Sequence, residues 1–116
     1  LILIAAPFWD CSFPAALKVY AERICCEGLT FRTTSRGLRP LCRFHDLVYL
    51  STIGGQPIDG IHHGEAYWRS MAAFLGTGRF HCLSVRELDI AGQDAEALLA
   101  AGMEKARELG HSLSRR

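Results

Sequence analysis

The sequence predicts an α/β fold of the doubly wound kind, a parallel sheet flanked by helices. Three observations carry this. Leu1 to Ala6, LILIAA, is an unbroken apolar run, the pattern of a strand covered on both faces. Helical periodicity then alternates with two further short strand patterns, giving strand, helix, strand, helix, strand, helix along the chain. The connections at the carboxyl ends of the strands grow longer and more polar, and that edge is where open α/β sheets bind ligands.

The first strand stops at Pro7, and Phe8 to Phe13 then mix aromatic residues with a carboxylate, a thiol and a hydroxyl. Ser12 suits an N-cap and Pro14 the first turn of a helix. Leu17, Tyr20, Ala21 and Ile24 fall at helical spacing, so the first helix is expected from Pro14 to Glu27, ending at Gly28. Leu29 to Arg43 combines β-branched and aromatic residues with Gly37 and Pro40, and reads either as a short hairpin or as a surface wrap. Its four arginines suit a solvated loop face, with an anion contact as the alternative.

The second strand, His45 to Thr52, carries Leu47, Val48, Tyr49 and Leu50 and runs straight into Ile53, Gly54 and Gly55. A strand ending in Ser-Thr-x-Gly-Gly sets hydroxyls and unobstructed backbone N–H groups at a carboxyl edge. Gln56 to Gly64 extends this loop with Pro57, His62 and His63, and long loops in compact domains are usually functional or mobile. The next helix, Glu65 to Leu75, has a buried stripe of Tyr67 or Trp68, Met71, Ala72 and Leu75, stopped by Gly76 and Gly78. The third strand is Arg79 to Val85, in which His81 reads as a structural histidine; Arg86 to Gly92 is a third carboxyl-end loop. The last helix, Asp94 to His111, has Leu98, Ala101 or Gly102, Lys105 and Leu109 on one side, with Met103 in core or interface packing.

Right-handed crossovers make these strands parallel. Three strands leave two edges, yet Leu1 to Ala6 reads as an interior strand. The expectation is therefore the C-terminal part of a larger doubly wound domain, or an edge completed by another chain.

Composition narrows the function classes. The 116 residues suffice for one domain, with 49% apolar and 22% charged residues. A formal net charge of +1 supplies no electrostatic case for nucleic acid or an acidic membrane surface. No apolar run approaches the roughly 20 residues of a membrane span, and Leu1 to Ala6 lacks a basic leader, so a soluble cytoplasmic protein is expected. The five cysteines are an odd set without a CxxC pair, and adjacent Cys25 and Cys26 point about 100° apart on a helix. Reduced thiols fit best. The five histidines have no ligand spacing to these cysteines, so no metal site is expected.

Two stretches carry a resemblance. AAPFWDCSFPAALKVYAERICCEGLTF followed by VYLSTIGG resembles the FMN-dependent azoreductase and NAD(P)H:quinone reductase branch of the flavodoxin-like fold, with its AAPxYNxxxPxxLKxYxDxxxxxGxTF and LSSxGG patterns. The likeness runs from about Leu1 to Gly55 in order and spacing, with a looser fit beyond. It implies a flavodoxin-like doubly wound sheet, of which residues 1–116 would hold three strands and three helices out of a normal five-stranded domain. The N-terminal βαβα part, with the Ser-rich loop that holds the FMN phosphate in that family, has no counterpart here, and no glycine-rich cradle replaces it.

Carried over, the resemblance implies flavin contacts at Pro7, Phe8, Trp9, Asp10 and Cys11 in the first loop and at Thr52, Ile53, Gly54 and Gly55 in the second. Trp9 stands for the family's tyrosine, a conservative change for covering a ring. Asp10 stands for its asparagine, and a carboxylate there repels an anionic reduced flavin unless turned away or protonated. The implied activity is hydride passage from NADH or NADPH through flavin N5 to a quinone, azo compound or similar small acceptor, in ping-pong order and in a homodimer. No protein nucleophile, acid or metal is required. The alternative is a truncated, non-catalytic flavodoxin-like module that binds flavin or serves as an interaction surface.

Overall fold

The computed structural model describes residues 1–115. In chain order the elements are β1 (Ile2–Pro7), α1 (Ala15–Ile24), β2 (Phe31–Thr34), β3 (Gly37–Pro40), β4 (Asp46–Thr52), α2 (His63–Leu75), β5 (Arg79–Val85) and α3 (Ala95–Ser114), with a 3-10 turn at Ile58–Gly60 before α2. Three strands form a parallel sheet in the order β1-β4-β5, with Ile4 beside Tyr49 and Tyr49 beside Cys82. Helices between them supply the crossovers that parallel pairing requires.

The central strand is the most deeply buried. Asp46 through Tyr49 are all buried, and Leu47, Tyr49 and Trp68 are at most 1% exposed. On one face, α1 and α2 cover Ile4, Leu47 and Tyr49 with Ala21, Trp68, Met71, Ala72 and Leu75. Each large apolar side chain so buried stabilises the fold by about 1.5–3 kcal/mol relative to exposure. On the other face α3 approaches β5 closely at Gly102, where a Cβ would overlap the Val85 side chain. The α3 stripe is Leu98, Gly102, Ala106 and Leu109; Lys105 is exposed, since Ala106 takes the inward position one residue on. Met103 is 63% exposed and lines an apolar groove of about 410 Å³ with Ala5, Leu50, Leu83 and Val85.

Several local details differ from the sequence expectation. β1 is an edge strand, and Leu3 is 60% exposed, because no described element covers its outer side or one of its faces. Tyr20 points outward, at 56% exposure, while Ala21 takes the buried position. The N-cap of α1 is Pro14, without a side-chain cap bond, so Ser12 does not serve there. That helix stops at Ile24 rather than Glu27 because Thr30 Oγ1 donates to the Ile24 carbonyl at 2.7 Å and accepts the Cys26 N–H at 2.9 Å. This supplies the orphan groups of the last turn from outside the helix. Gly28 follows with φ +84, a conformation that favours glycine.

The ambiguous Leu29 to Arg43 segment resolves as an antiparallel hairpin of β2 and β3, with the Phe31 and Phe74 rings packed at a tilt, their centroids 4.7 Å apart. α2 begins two residues earlier than Glu65, capped by His62. Asp94 caps α3 by accepting the Ala97 N–H at 3.0 Å.

Candidate functional site

The first loop leaves β1 at Pro7 and is pinned at once to the second. Pro7 lies beside Thr52 in the sheet register, and the Phe8 N–H donates to the Thr52 carbonyl at 2.9 Å. Trp9 and Ser12 then exchange a pair of backbone bonds, at 3.2 and 2.9 Å, around a two-residue tip. Asp10 and Cys11 form that tip with φ +49 and +67, the positive pair that a type I′ turn requires. Asp tolerates that conformation through its short polar side chain; for Cys11 it is a strain held by the turn. The tip projects Trp9, 59% exposed, with exposed Asp10 and Cys11 beside it.

The second loop is held from beneath. Ile53 is 1% exposed, so its side chain anchors the loop in the core and leaves only its backbone at the edge. The end of β5 and the third loop clasp it: Ile53 N donates to Val85 O at 2.8 Å, Leu88 N to Ile53 O at 3.2 Å, Asp89 N to Gly54 O at 2.8 Å and Glu87 N to Gly55 O at 3.1 Å. Glu87 sits at φ +66 and accepts the Gln56 side-chain amide at 2.8 Å, a further tie between the loops.

The two glycines differ. A Cβ on Gly54 would run into the Asp89 side chain, whereas one on Gly55 would meet nothing within 4 Å. Gly54 therefore leaves room for the Asp89 side chain of the third loop, and Gly55 is the one that faces open space. Among the described residues the N–H groups of Asp10, Cys11, Gly54 and Gly55 donate to no protein acceptor. Unengaged N–H groups beside an exposed indole match a flat ligand with an acceptor-rich rim. The candidates of both loops thus come to one carboxyl edge.

Beneath this edge lies a buried polar group that sequence reasoning passed over. His62 is 6% exposed, and its ring meets Phe8 edge-on at 5.0 Å and Tyr49 at 5.7 Å. Burial holds its imidazole below the ordinary value, with Glu65 acting in the opposite sense. Nearby in the sheet, burial pushes the Cys82 thiol up to about 11. At the far end of the sheet Asp46 accepts from His81 Nε2 at 2.7 Å and from Arg79 at 3.0 Å, the bond from His81 doing most to hold its carboxyl below the usual range. That makes His81 a structural histidine, as its sequence context indicates. The five cysteines are unpaired, and no described helix is long and apolar enough to cross a membrane.

A family model described as the flavodoxin-like fold matches residues 1–109. The chain belongs to that family. Within the flavodoxin-like family it is 39% identical over 110 residues to FMN-dependent NADH:quinone oxidoreductase 2 of Clostridium acetobutylicum, covering 91% of this chain and 55% of the relative. It is 30% identical over 111 residues to the FMN-dependent NADH:quinone oxidoreductase of Caldicellulosiruptor saccharolyticus, covering 92% and 55%. Among solved structures, the FMN-dependent NADH-azoreductase of Bacillus anthracis in complex with FMN aligns over 96% of this chain and 55% of its own, with a TM-score of 0.82 at 18% identity. That last likeness speaks for the fold alone. The chain spans about half the length of the curated relatives it matches.

Proposed function

We propose that this chain provides the ring-binding edge of an FMN-dependent oxidoreductase that passes hydride from NADH or NADPH to a quinone, azo compound or similar small acceptor. The observation that carries the reading is the Phe8 N–H to Thr52 carbonyl bond of 2.9 Å, which joins the two candidate loops into one platform. Relatives named as FMN-dependent NADH:quinone oxidoreductases support it. When bound, FMN supplies the hydride carrier.

The chain's own residues bind and orient. Phe8 and Trp9 cover the ring, with Pro7 shaping the platform beneath them. The N–H groups of Asp10, Cys11, Gly54 and Gly55 and the Thr52 hydroxyl meet the polar rim, and Ile53 anchors the second loop. Donors at that rim favour negative charge on the ring, while the exposed Asp10 carboxylate turns toward solvent at the turn tip. No side chain of this chain acts as a chemical catalyst. Nicotinamide and acceptor occupy one face in turn, a ping-pong order, in a cytoplasmic homodimer.

The test is flavin content. Protein purified as encoded should carry, or take up, FMN, and its visible absorption should bleach on adding NADH without air and return with a quinone. A colourless protein that leaves added FMN unbound and unbleached would instead identify a non-catalytic flavodoxin-like module.

A further inference from the structure

His62 ends the connection that extends the second loop, beyond that loop's candidate residues, and it joins the first loop to the sheet and to α2. Its Nδ1 accepts the Glu65 N–H at 3.3 Å and so caps the helix. A ring nitrogen that accepts carries no proton, which assigns the hydrogen of the neutral ring to Nε2. Nε2 is buried and finds no hydrogen-bond partner among the described residues. The pocket has no slack: a Cβ on Gly64 would stand 2.6 Å from Tyr49 Oη and 3.1 Å from His62 Cε1. Phe8, the first residue of the ring-covering loop, rests edge-on against this ring with an interplanar angle of 87°.

From this arrangement we infer that His62 is a positioning residue for the first loop, holding Phe8 in place only while its imidazole is neutral. The inference rests on the reading of that loop as part of the flavin site. Protonation would fill the Nδ1 lone pair and set an N–H against the Glu65 N–H it now accepts. It would also place a cation at a helix N-terminus, where the dipole is already positive, and bury two donors without acceptors.

The charged and titratable groups facing the ring are Glu65 and His63 on α2, Tyr49 on β4 and Arg86 beyond β5. Glu65 alone favours the charged ring, and it is engaged by Arg69 at 2.7 Å; Arg86 and His63 oppose it. Burial is the largest influence and acts in the same sense as Arg86 and His63. The loop is therefore held at neutral pH and released by acidification below the ordinary histidine range. Stability follows the same sign, falling as pH drops from the value of the unfolded imidazole toward that of the folded one.

The decisive measurement is an NMR titration of the flavin-free protein from about pH 8 to about pH 4, following the His62 ring and the amides of Phe8, Trp9 and Glu65. All four should shift with one midpoint, lying below that of a free imidazole. His62 titrating while the Phe8 and Trp9 amides stand still would overturn the inference. His62→Asn keeps a side-chain oxygen for the cap but has no titratable ring. It should melt a few degrees below the wild type because the smaller side chain leaves part of the ring's space empty, lose the acid transition at Phe8 and Trp9, and bind FMN about tenfold more weakly with no acid dependence from this site. Wild-type affinity with the acid dependence intact in that variant would also overturn it. A shared transition in a wild-type protein that fails to bind FMN at neutral pH would support the loop-holding role and refute the flavin reading.

Discussion

Gly54 and Gly55 are neighbours in opposite surroundings, and that contrast separates a folding role from a ligand role. A Cβ on Gly54 would stand 3.0 Å from Asp89 Cγ and 3.3 Å from Asp89 Cβ, closer than ordinary contact. The obstacle is an exposed carboxylate side chain, which can turn away, but its own N–H is bonded to the Gly54 carbonyl at 2.8 Å. Weakening one such bond costs about 1 kcal/mol. For a domain of this size that is a fall of about 4 °C in melting temperature. Gly55→Ala enters empty space at a backbone without a left-handed φ. Restricting the unfolded chain there stabilises by about 0.4–1 kcal/mol.

Stability should therefore rank Gly55→Ala at or above the wild type and Gly54→Ala below it. Flavin affinity should rank differently. The new methyl at position 55 lies in the open space where a ring would rest and holds it off the Gly54 and Gly55 N–H groups. A loss of at least tenfold, about 1.4 kcal/mol, is expected, while Gly54→Ala stays near the wild type. Thermal melts alongside calorimetric titration with FMN read both quantities on the same samples. Gly55→Ala binding FMN as tightly as the wild type would refute the reasoning, because the free space above that glycine would then have no ligand in it.

Two further outcomes follow from the ionisable groups. Asp46 accepts from His81 and Arg79 and has a carboxyl held below its usual range, so its stabilisation is present above the unfolded carboxylate value and is lost as pH falls through the folded one. Asp46→Asn should lower the melting temperature at neutral pH, and the gap should close in strong acid; a gap that persists undiminished there would show that the charge is not what stabilises. Because the Cys82 thiol is pushed up to about 11, only about 0.1% of it is thiolate at pH 8, whereas Cys11 is exposed at the turn tip. Iodoacetamide should label Cys11 long before Cys82, by peptide mass spectrometry, and FMN should slow the labelling of Cys11. Labelling of Cys11 that FMN leaves unchanged would place the turn tip outside the site.

The alternation of strands and helices was legible because each element carries its own period. Leu47 to Leu50 and the Trp68, Met71, Ala72, Leu75 stripe name their buried faces without reference to the rest of the chain. Boundaries were less legible where the decisive partner is distant in sequence or of an unexpected type. α1 stops at Ile24 because of Thr30, six residues on, and not because of Gly28. α3 turns inward at Ala106 rather than Lys105, a one-residue choice that amphipathic spacing leaves open when small residues fill the stripe. The interior-strand reading of Leu1 to Ala6 shows a different gap. Apolar residues on both faces state what the strand is suited to, and the described chain covers it from one side only.

The candidate site divides along the same line. The first two loops were legible because strand ends followed by an aromatic turn or by paired glycines are local patterns, and the resemblance supplied their order. What organises them was not, since polar loops have no period and their contacts cross more than thirty residues of chain. Glu87, Leu88 and Asp89 reach back onto Ile53, Gly54 and Gly55, and the reason for glycine at position 54 is visible only once Asp89 is seen above it. The available signal was length: the connection from Gln56 to His62 is longer than turning the chain requires, and its last residue, His62, comes directly before α2. A histidine in the cap position, where Ser, Thr, Asp or Asn is usual, gives the helix an acceptor that acid removes. The same ring carries Phe8. The start of α2 and the first ligand loop therefore share one titratable support, and a change in either should be felt by the other.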